Sequence, residues 1–258
     1  MSGDMTSRED SWSDLRRFTT ARIALGRAGG SPLTRELLKF RFDHALARDA
    51  VHAAFDAGDI EKQLVPCGLP SLQVRTQAPS TDHFLRRPDH GRLLDPESQR
   101  LLESQTPGSD LVLIISNGLS AVAAHRYAAP VVNTLVPALL QDQWRLASLV
   151  VAHNARVGLQ DAVGSVLQVR WALILLGERP GLGTADSLGA YLVHQPHSGR
   201  TDADRNCVSN IHANGLQPPE AAETLRYLLN ESRRRRISGV HLKDERAGLE
   251  TQSDDRLA

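Results

Sequence analysis

Three stretches of this 258-residue chain concentrate side chains that could do chemistry. The first, Ser116-Asn117-Gly118-Leu119-Ser120, follows the apolar run Leu111–Ile115. Glycine permits a tight turn there, and small polar side chains leave backbone N–H groups free before a following helix, the makings of an anion cradle. A purely structural turn uses the same residue types. The second, Gly177-Glu178-Arg179-Pro180-Gly181-Leu182-Gly183, follows Trp171–Leu176. Its glycines do not stand at the offsets of a dinucleotide loop, and Pro180 removes an N–H donor, which argues against a nicotinamide site. It offers a stiff backbone that a large polar ligand or a partner subunit can approach closely. Its Glu178 and Arg179 are free for such a ligand or form a local ion pair. The third, Asp202–Asn214, is dense in short polar groups: Asp204, Arg205, Asn206, Cys207, Ser209, Asn210 and His212. A Cys–His nucleophile and plain structural hydrogen bonding are both open readings there, because no transferable signature surrounds Cys207. The ten histidines lack metal spacing such as HExxH, so no metal site is expected.

In open α/β sheets, ligands bind beyond the carboxyl ends of the strands, so these stretches need strands to carry them. After Pro66 the pattern alternates. Ser71–Thr76, Leu111–Ile115, Leu146–Ala152 and Trp171–Leu176 read as strands; Asp95–Ser104, Pro130–Gln141, Leu159–Leu167 and Pro219–Arg235 read as helices. Apolar strands alternating with amphipathic helices imply a Rossmann-like α/β fold, a mainly parallel sheet flanked by helices. The last helix is the clearest: Pro218-Pro219 opens it, Glu220 and Glu223 sit near its positive end, and Ala222, Leu225 and Leu229 form a stripe. The basic run Arg233–Arg236 at its negative end compensates the dipole or forms a phosphate patch. Ahead of the sheet, Leu38, Phe42 and Ala45 recur at helical spacing, Gly29-Gly30-Ser31-Pro32 breaks the pattern, and Thr34 reads as an N-cap. The expected division is a disordered N-terminus at 1–13, a helical arm at 14–65, an α/β domain at 66–243 and a charged tail at 244–258.

Composition excludes several classes. Lys+Arg and Asp+Glu balance at 30 each, so no global field draws the chain to nucleic acid or an anionic membrane. Two cysteines, Cys67 and Cys207, are too few for a disulfide framework and favour a reducing compartment. The polar start MSGDMTSREDSWSD has no apolar leader, and no apolar run approaches the roughly 20 residues of a membrane span, so a cytoplasmic location is expected.

The ordered motifs resemble those of the ethanolamine ammonia-lyase small subunit family, over about Asp14–Lys243. They are Leu15-Arg16-Arg17, Thr20-Ala21-Arg22, Gly26–Gly29, Arg87-Pro88-Asp89-His90-Gly91-Arg92, Gly118-Leu119-Ser120, Gly177–Gly183 and the pattern DRxCxSNIH from Asp204 to His212. GERPGLG and DRxCxSNIH, in this order and separation, carry the resemblance. It implies a heteromer in which a large TIM-barrel subunit holds substrate and this chain completes the cleft for adenosylcobalamin. The cofactor starts the radical conversion of ethanolamine to acetaldehyde and ammonia. Its cobalamin contacts fall on Val157, Glu178 and Cys207, Glu178 as an acceptor for corrin amides and the other two as close apolar and backbone contacts. DxHxxG, whose histidine replaces the base below cobalt, is missing, which fits a family that keeps that base in place. Asn117 stands where the family leads one to expect Asp, and the N-terminal extension is shorter than the segment that takes some relatives into a bacterial microcompartment. The chain alone is expected to be inactive. The alternatives are a free-standing nucleotide- or anion-binding enzyme built on Ser116–Ser120, or a non-catalytic assembly factor.

Overall fold

The computed structural model describes residues 10, 12–19 and 21–246; the expectations for 1–9 and for the tail from 247 lie outside them. In chain order the elements are β1 (Arg27–Ala28), β2 (Ser31–Pro32), α1 (Thr34–His52), α2 (Ala57–Leu64), β3 (Ser71–Arg75), α3 (Thr81–Arg86), α4 (Pro96–Glu103), β4 (Leu111–Ser116), α5 (Ala121–Ala123), α6 (Ala129–Gln141), β5 (Leu149–His153), α7 (Leu159–Val166), β6 (Trp171–Gly177), β7 (Leu188–His194), β8 (Arg205–Ile211) and α8 (Pro218–Arg235). A π-helical turn, Ala124–Ala128, joins α5 to α6.

β4 and β6 are apolar along their lengths because both faces of each are covered. They sit at the centre of a six-stranded sheet of order β3-β5-β4-β6-β7-β8. The first four strands run parallel, and β7 and β8 add to β6 antiparallel. The expected α/β sheet is present, with an antiparallel extension that the sequence reading did not contain. Leu111, Leu113 and Ile115 of β4 meet α2, α6 and α8 on one face, through Ile60, Leu135 and Leu225 among others. Val112 and Ile114 meet Leu102 of α4 and Leu159 and Val163 of α7 on the other. α2, inside the stretch read as an arm, thus belongs to the main core through Ala57, Ile60 and Leu64.

Several local readings change. Residues 14–33 form a 3-10 turn at Ser13–Phe18 and the β1–β2 ribbon instead of a helix, with Gly29 supplying the positive φ that the ribbon's turn needs. Leu33, not Thr34, is the N-cap of α1, and it makes no side-chain cap bond. Asp202–Asn214, read as a loop, contains β8, and β7 was not anticipated at all. The last helix is as expected, with Ala222, Leu225 and Leu229 buried. Its basic run is tied into the fold: Arg233 stacks 4.4 Å from the Trp144 ring centroid, Arg234 pairs with Glu231, and Arg236 ends the helix in a left-handed conformation. Among the described residues, no helix is long and apolar enough to cross a membrane.

Candidate functional site

The chain leaves β4 toward α5 and α6 on one face of the sheet and leaves β5 toward α7 on the other. Adjacent parallel strands whose outgoing connections diverge open a crevice at their carboxyl ends, the usual ligand position in such sheets. The loops Ser116–Ser120 and His153–Gly158 border it here.

A pair of asparagines fixes the two loops together. The buried Asn117 accepts the Asn154 N–H on Oδ1 (2.7 Å) and donates from Nδ2 to Asn154 Oδ1 (3.1 Å). Asn154, itself at φ +54, donates from Nδ2 to the Ala78 carbonyl (3.0 Å). An Asp at 117 would set two acceptors face to face, and turning the Asn154 amide over would only move that conflict to Ala78. Asn117→Asp is therefore expected to lower stability by about 1–3 kcal/mol, as measured by urea unfolding. A variant as stable as the parent would show that the amide donor is dispensable.

The Ser116–Ser120 turn is not an anion cradle, because its donors are already engaged. Gly118 N–H donates to Ser116 Oγ (3.3 Å), Leu119 N–H to the Gly177 carbonyl (2.9 Å) and Ser120 N–H to the Asn117 carbonyl (2.9 Å). The turn instead packs against the start of the GERPGLG loop. A Cβ on Gly118 would lie 2.4 Å from the Gly177 carbonyl oxygen.

Glu178 and Arg179 form no ion pair with each other. The Glu178 carboxylate is held on one oxygen, Oε2, by Ser187 Oγ (2.5 Å) and by the Asn210 N–H (3.4 Å). Its other oxygen packs over Gly189, where a Cβ would come within 2.7 Å of it. Glu178 thus enters with a fixed direction and an acceptor that no donor among the described residues occupies.

Val157 and Glu178 line one cavity of about 440 Å³, together with Phe84, Leu119, Arg156 and Tyr191. Cys207 does not line it; it is exposed and stands opposite Tyr191 on the neighbouring strand. The density of protein around its thiol and the nearby Glu178 carboxylate push its pKa up, against the opposing influence of the Tyr191 hydroxyl. Burial likewise pushes the Tyr191 phenol up. The ring of His212 accepts the Asn214 N–H at Nδ1, with no hydrogen bond to Cys207. A thiol made harder to ionise and without a paired base is a poor nucleophile. The polar density of the third stretch has other uses: Arg205 pairs with Asp161, Asn206 holds Gly239 and Leu242, and Asp204 caps Thr201. Tyr191, Arg156, Phe84 and Ser187 escaped the sequence reading, since none carries a local signature.

The chain matches the family model described as ethanolamine ammonia-lyase light chain (EutC) over residues 9–243. It is 50% identical over 233 residues to the ethanolamine ammonia-lyase small subunit of Rhodopseudomonas palustris, covering 90% of this chain and 89% of the relative. The small subunit of Bradyrhizobium diazoefficiens is 49% identical over 236 residues (91% and 90%), and that of Azotobacter vinelandii 45% over 249 residues (95% and 92%).

Proposed function

The chain belongs to the ethanolamine ammonia-lyase light chain family, and from that premise we propose that it completes the adenosylcobalamin cleft of an ammonia-lyase whose large subunit holds ethanolamine. One observation carries the reading: Val157 and Glu178, two of the three positions expected to touch the cofactor, line one cavity at the divergence of β4 and β5. The chemistry of the lining fits a corrinoid. The unoccupied oxygen of Glu178 suits a corrin amide donor, while Val157, Phe84 and Leu119 suit its apolar edge. Cys207, paired across the sheet with the lining residue Tyr191, is the third proposed contact.

When bound, adenosylcobalamin supplies the radical that starts the conversion of ethanolamine to acetaldehyde and ammonia. This chain's residues orient and shield it. Glu178 is anchored by Ser187 and Asn210, and Tyr191 holds its proton tightly, so neither is set to take a proton from an amino alcohol. A cavity of 440 Å³ is smaller than a corrinoid requires and reads as a half-site that a second subunit closes. A surface for that subunit is at hand on α1, where Leu38 and Phe42 are 58% and 64% exposed, and it is the arm's proposed role. The complex is proposed to work in the cytoplasm.

Co-expression with the large subunit tests the reading. Ammonia release from ethanolamine should require both chains and added adenosylcobalamin; release by this chain alone, or by the pair without cofactor, would overturn it. Within the complex, Glu178→Ala is expected to raise the apparent Kd for the cofactor about tenfold to hundredfold, the worth of a desolvated acceptor. Saturating cofactor should restore most of the rate. Unchanged affinity in a folded variant would remove Glu178 from the contact set.

A further inference from the structure

Resting on that cofactor reading, we infer that Arg156, flanked by Arg92 and Arg179, is the seat for the phosphodiester of the cofactor's nucleotide tail. The motif Arg87–Arg92 has no part in the cavity lined by Val157 and Glu178, yet its geometry is demanding. Gly91 allows the closest approach, since a Cβ there would lie 2.5 Å from the Phe84 ring and 2.8 Å from the Asn154 carbonyl oxygen. The Gly91 carbonyl accepts the Arg156 N–H at 2.8 Å. Gly158 in turn leaves room for Arg92, whose Cγ lies 3.3 Å from where a Cβ would stand. The result is that Arg92 rests against the turn that carries Arg156 and Val157.

These arginines differ from their neighbours. Arg205 is paired with Asp161 and Arg200 with Asp204, whereas Arg92, Arg156 and Arg179 have no carboxylate partner among the described residues. Arg156 lies 5.5 Å from the centroid of the Phe84 ring, which fixes its direction without neutralising it. Burial, and then the charges of Arg179 and Arg92, make the protonated form of Arg156 less favourable. Like charges gathered without a counter-ion attract an anionic group. Arg156 and Val157 also form the wall between the 440 Å³ cavity and a second one of about 940 Å³, which Arg92 and Gly158 line from the other side. A ligand bound over Val157 therefore reaches the arginines without leaving the protein surface. The peripheral side chains of a corrinoid are neutral amides, and its one anionic substituent is the phosphodiester of the nucleotide tail. Guanidinium forks match that group better than a lysine would.

The inference makes a prediction that the cofactor reading does not. The complex of this chain with its large subunit is titrated with cyanocobalamin and with dicyanocobinamide, a corrinoid lacking the nucleotide tail and its phosphodiester, with binding read by equilibrium dialysis. Arg156→Met should weaken cyanocobalamin about tenfold to hundredfold and leave dicyanocobinamide within about twofold. Arg156→Lys should recover part of the loss. Arg92→Gln, which removes the charge and keeps the Cβ, Cγ and Cδ atoms that pack on Gly158, should show the same pattern with a smaller change. Inorganic phosphate should compete with cyanocobalamin in the parent complex and not in Arg156→Met. Equal losses for both corrinoids, or no loss for cyanocobalamin, would overturn the assignment of the arginines. A parent complex that binds neither corrinoid would instead overturn the cofactor reading, and this inference with it.

Discussion

Replacing Arg205 by Leu is expected to cost about 3–5 kcal/mol of stability, the usual result of stranding one half of a buried ion pair. Arg205 is 9% exposed and grips Asp161 with both arms of its fork, Nη1 to Oδ1 at 3.0 Å and Nη2 to Oδ2 at 2.6 Å. Beside it, the fully buried Gln160 satisfies both ends of its amide when its nitrogen faces the Ala172 and Tyr191 carbonyls (3.1 and 2.9 Å). Its oxygen then accepts from Arg205 Nη1 (2.8 Å). With Leu at 205, the buried Asp161 carboxylate loses its partner. For a chain of this size, the loss corresponds to a fall in Tm of roughly 6–20 °C. Asp161→Leu should fall equally far, because it strands the guanidinium instead. The double variant is the discriminating measurement: with both charges gone it should be more stable than either single one. Single variants within about 1 kcal/mol of the parent, or a double variant no better than the worse single, would mean that the pair is incidental. The bond also joins α7, which begins two residues after Val157, to β8, which carries Cys207, so its loss should loosen the cavity region as well.

That ion pair shows why part of the fold was illegible in the sequence. β4 and β6 could be read because strands covered on both faces are apolar throughout. β8 could not, because it lies at the edge of the sheet and its side chains are polar for reasons that lie far away in the chain. Arg205 reaches 44 residues back to Asp161, and Asn206 reaches 36 residues on to the Leu242 carbonyl. β7 was hidden by Gly189, which weakens a strand pattern and is needed here because the Glu178 carboxylate packs against it. The site was legible to a similar degree. A carboxylate after an apolar strand marked Glu178 by itself, whereas Ser187 and Asn210, which aim it, lie 9 and 32 residues on. Val157 looks like ordinary packing until the two loops meet through Asn117 and Asn154. Spacing also misled: the small polar residues at 116–120 suggested free N–H donors, and those donors turned out to face Ser116, Asn117 and Gly177.

The GERPGLG loop allows the sharpest separation of packing from flexibility, because its glycines share a motif and differ in surroundings. A Cβ on Gly177 would stand 2.0 Å from the Ser120 carbonyl oxygen and 2.5 Å from that of Asn117. Both neighbours are backbone, fixed by the turn that Ser116 and Asn117 hold together, so no side chain can rotate out of the way. Relief requires the end of β6 to move from the Ser116–Ser120 turn, which would break the bond from Leu119 N–H to the Gly177 carbonyl and open the cavity wall that Gly118 and Gly177 share. Gly177→Ala should therefore cost about 3 kcal/mol, at the upper end for an overpacked site. At Gly183, nothing lies within 4 Å of the added carbon and φ is not in the left-handed region. Gly183→Ala should stay within about 0.5 kcal/mol of the parent. Urea unfolding of the two variants checks this directly. Equal losses would mean that the loop needs glycine for backbone freedom, while no loss at Gly177 would mean that the strand end and the turn can separate without cost.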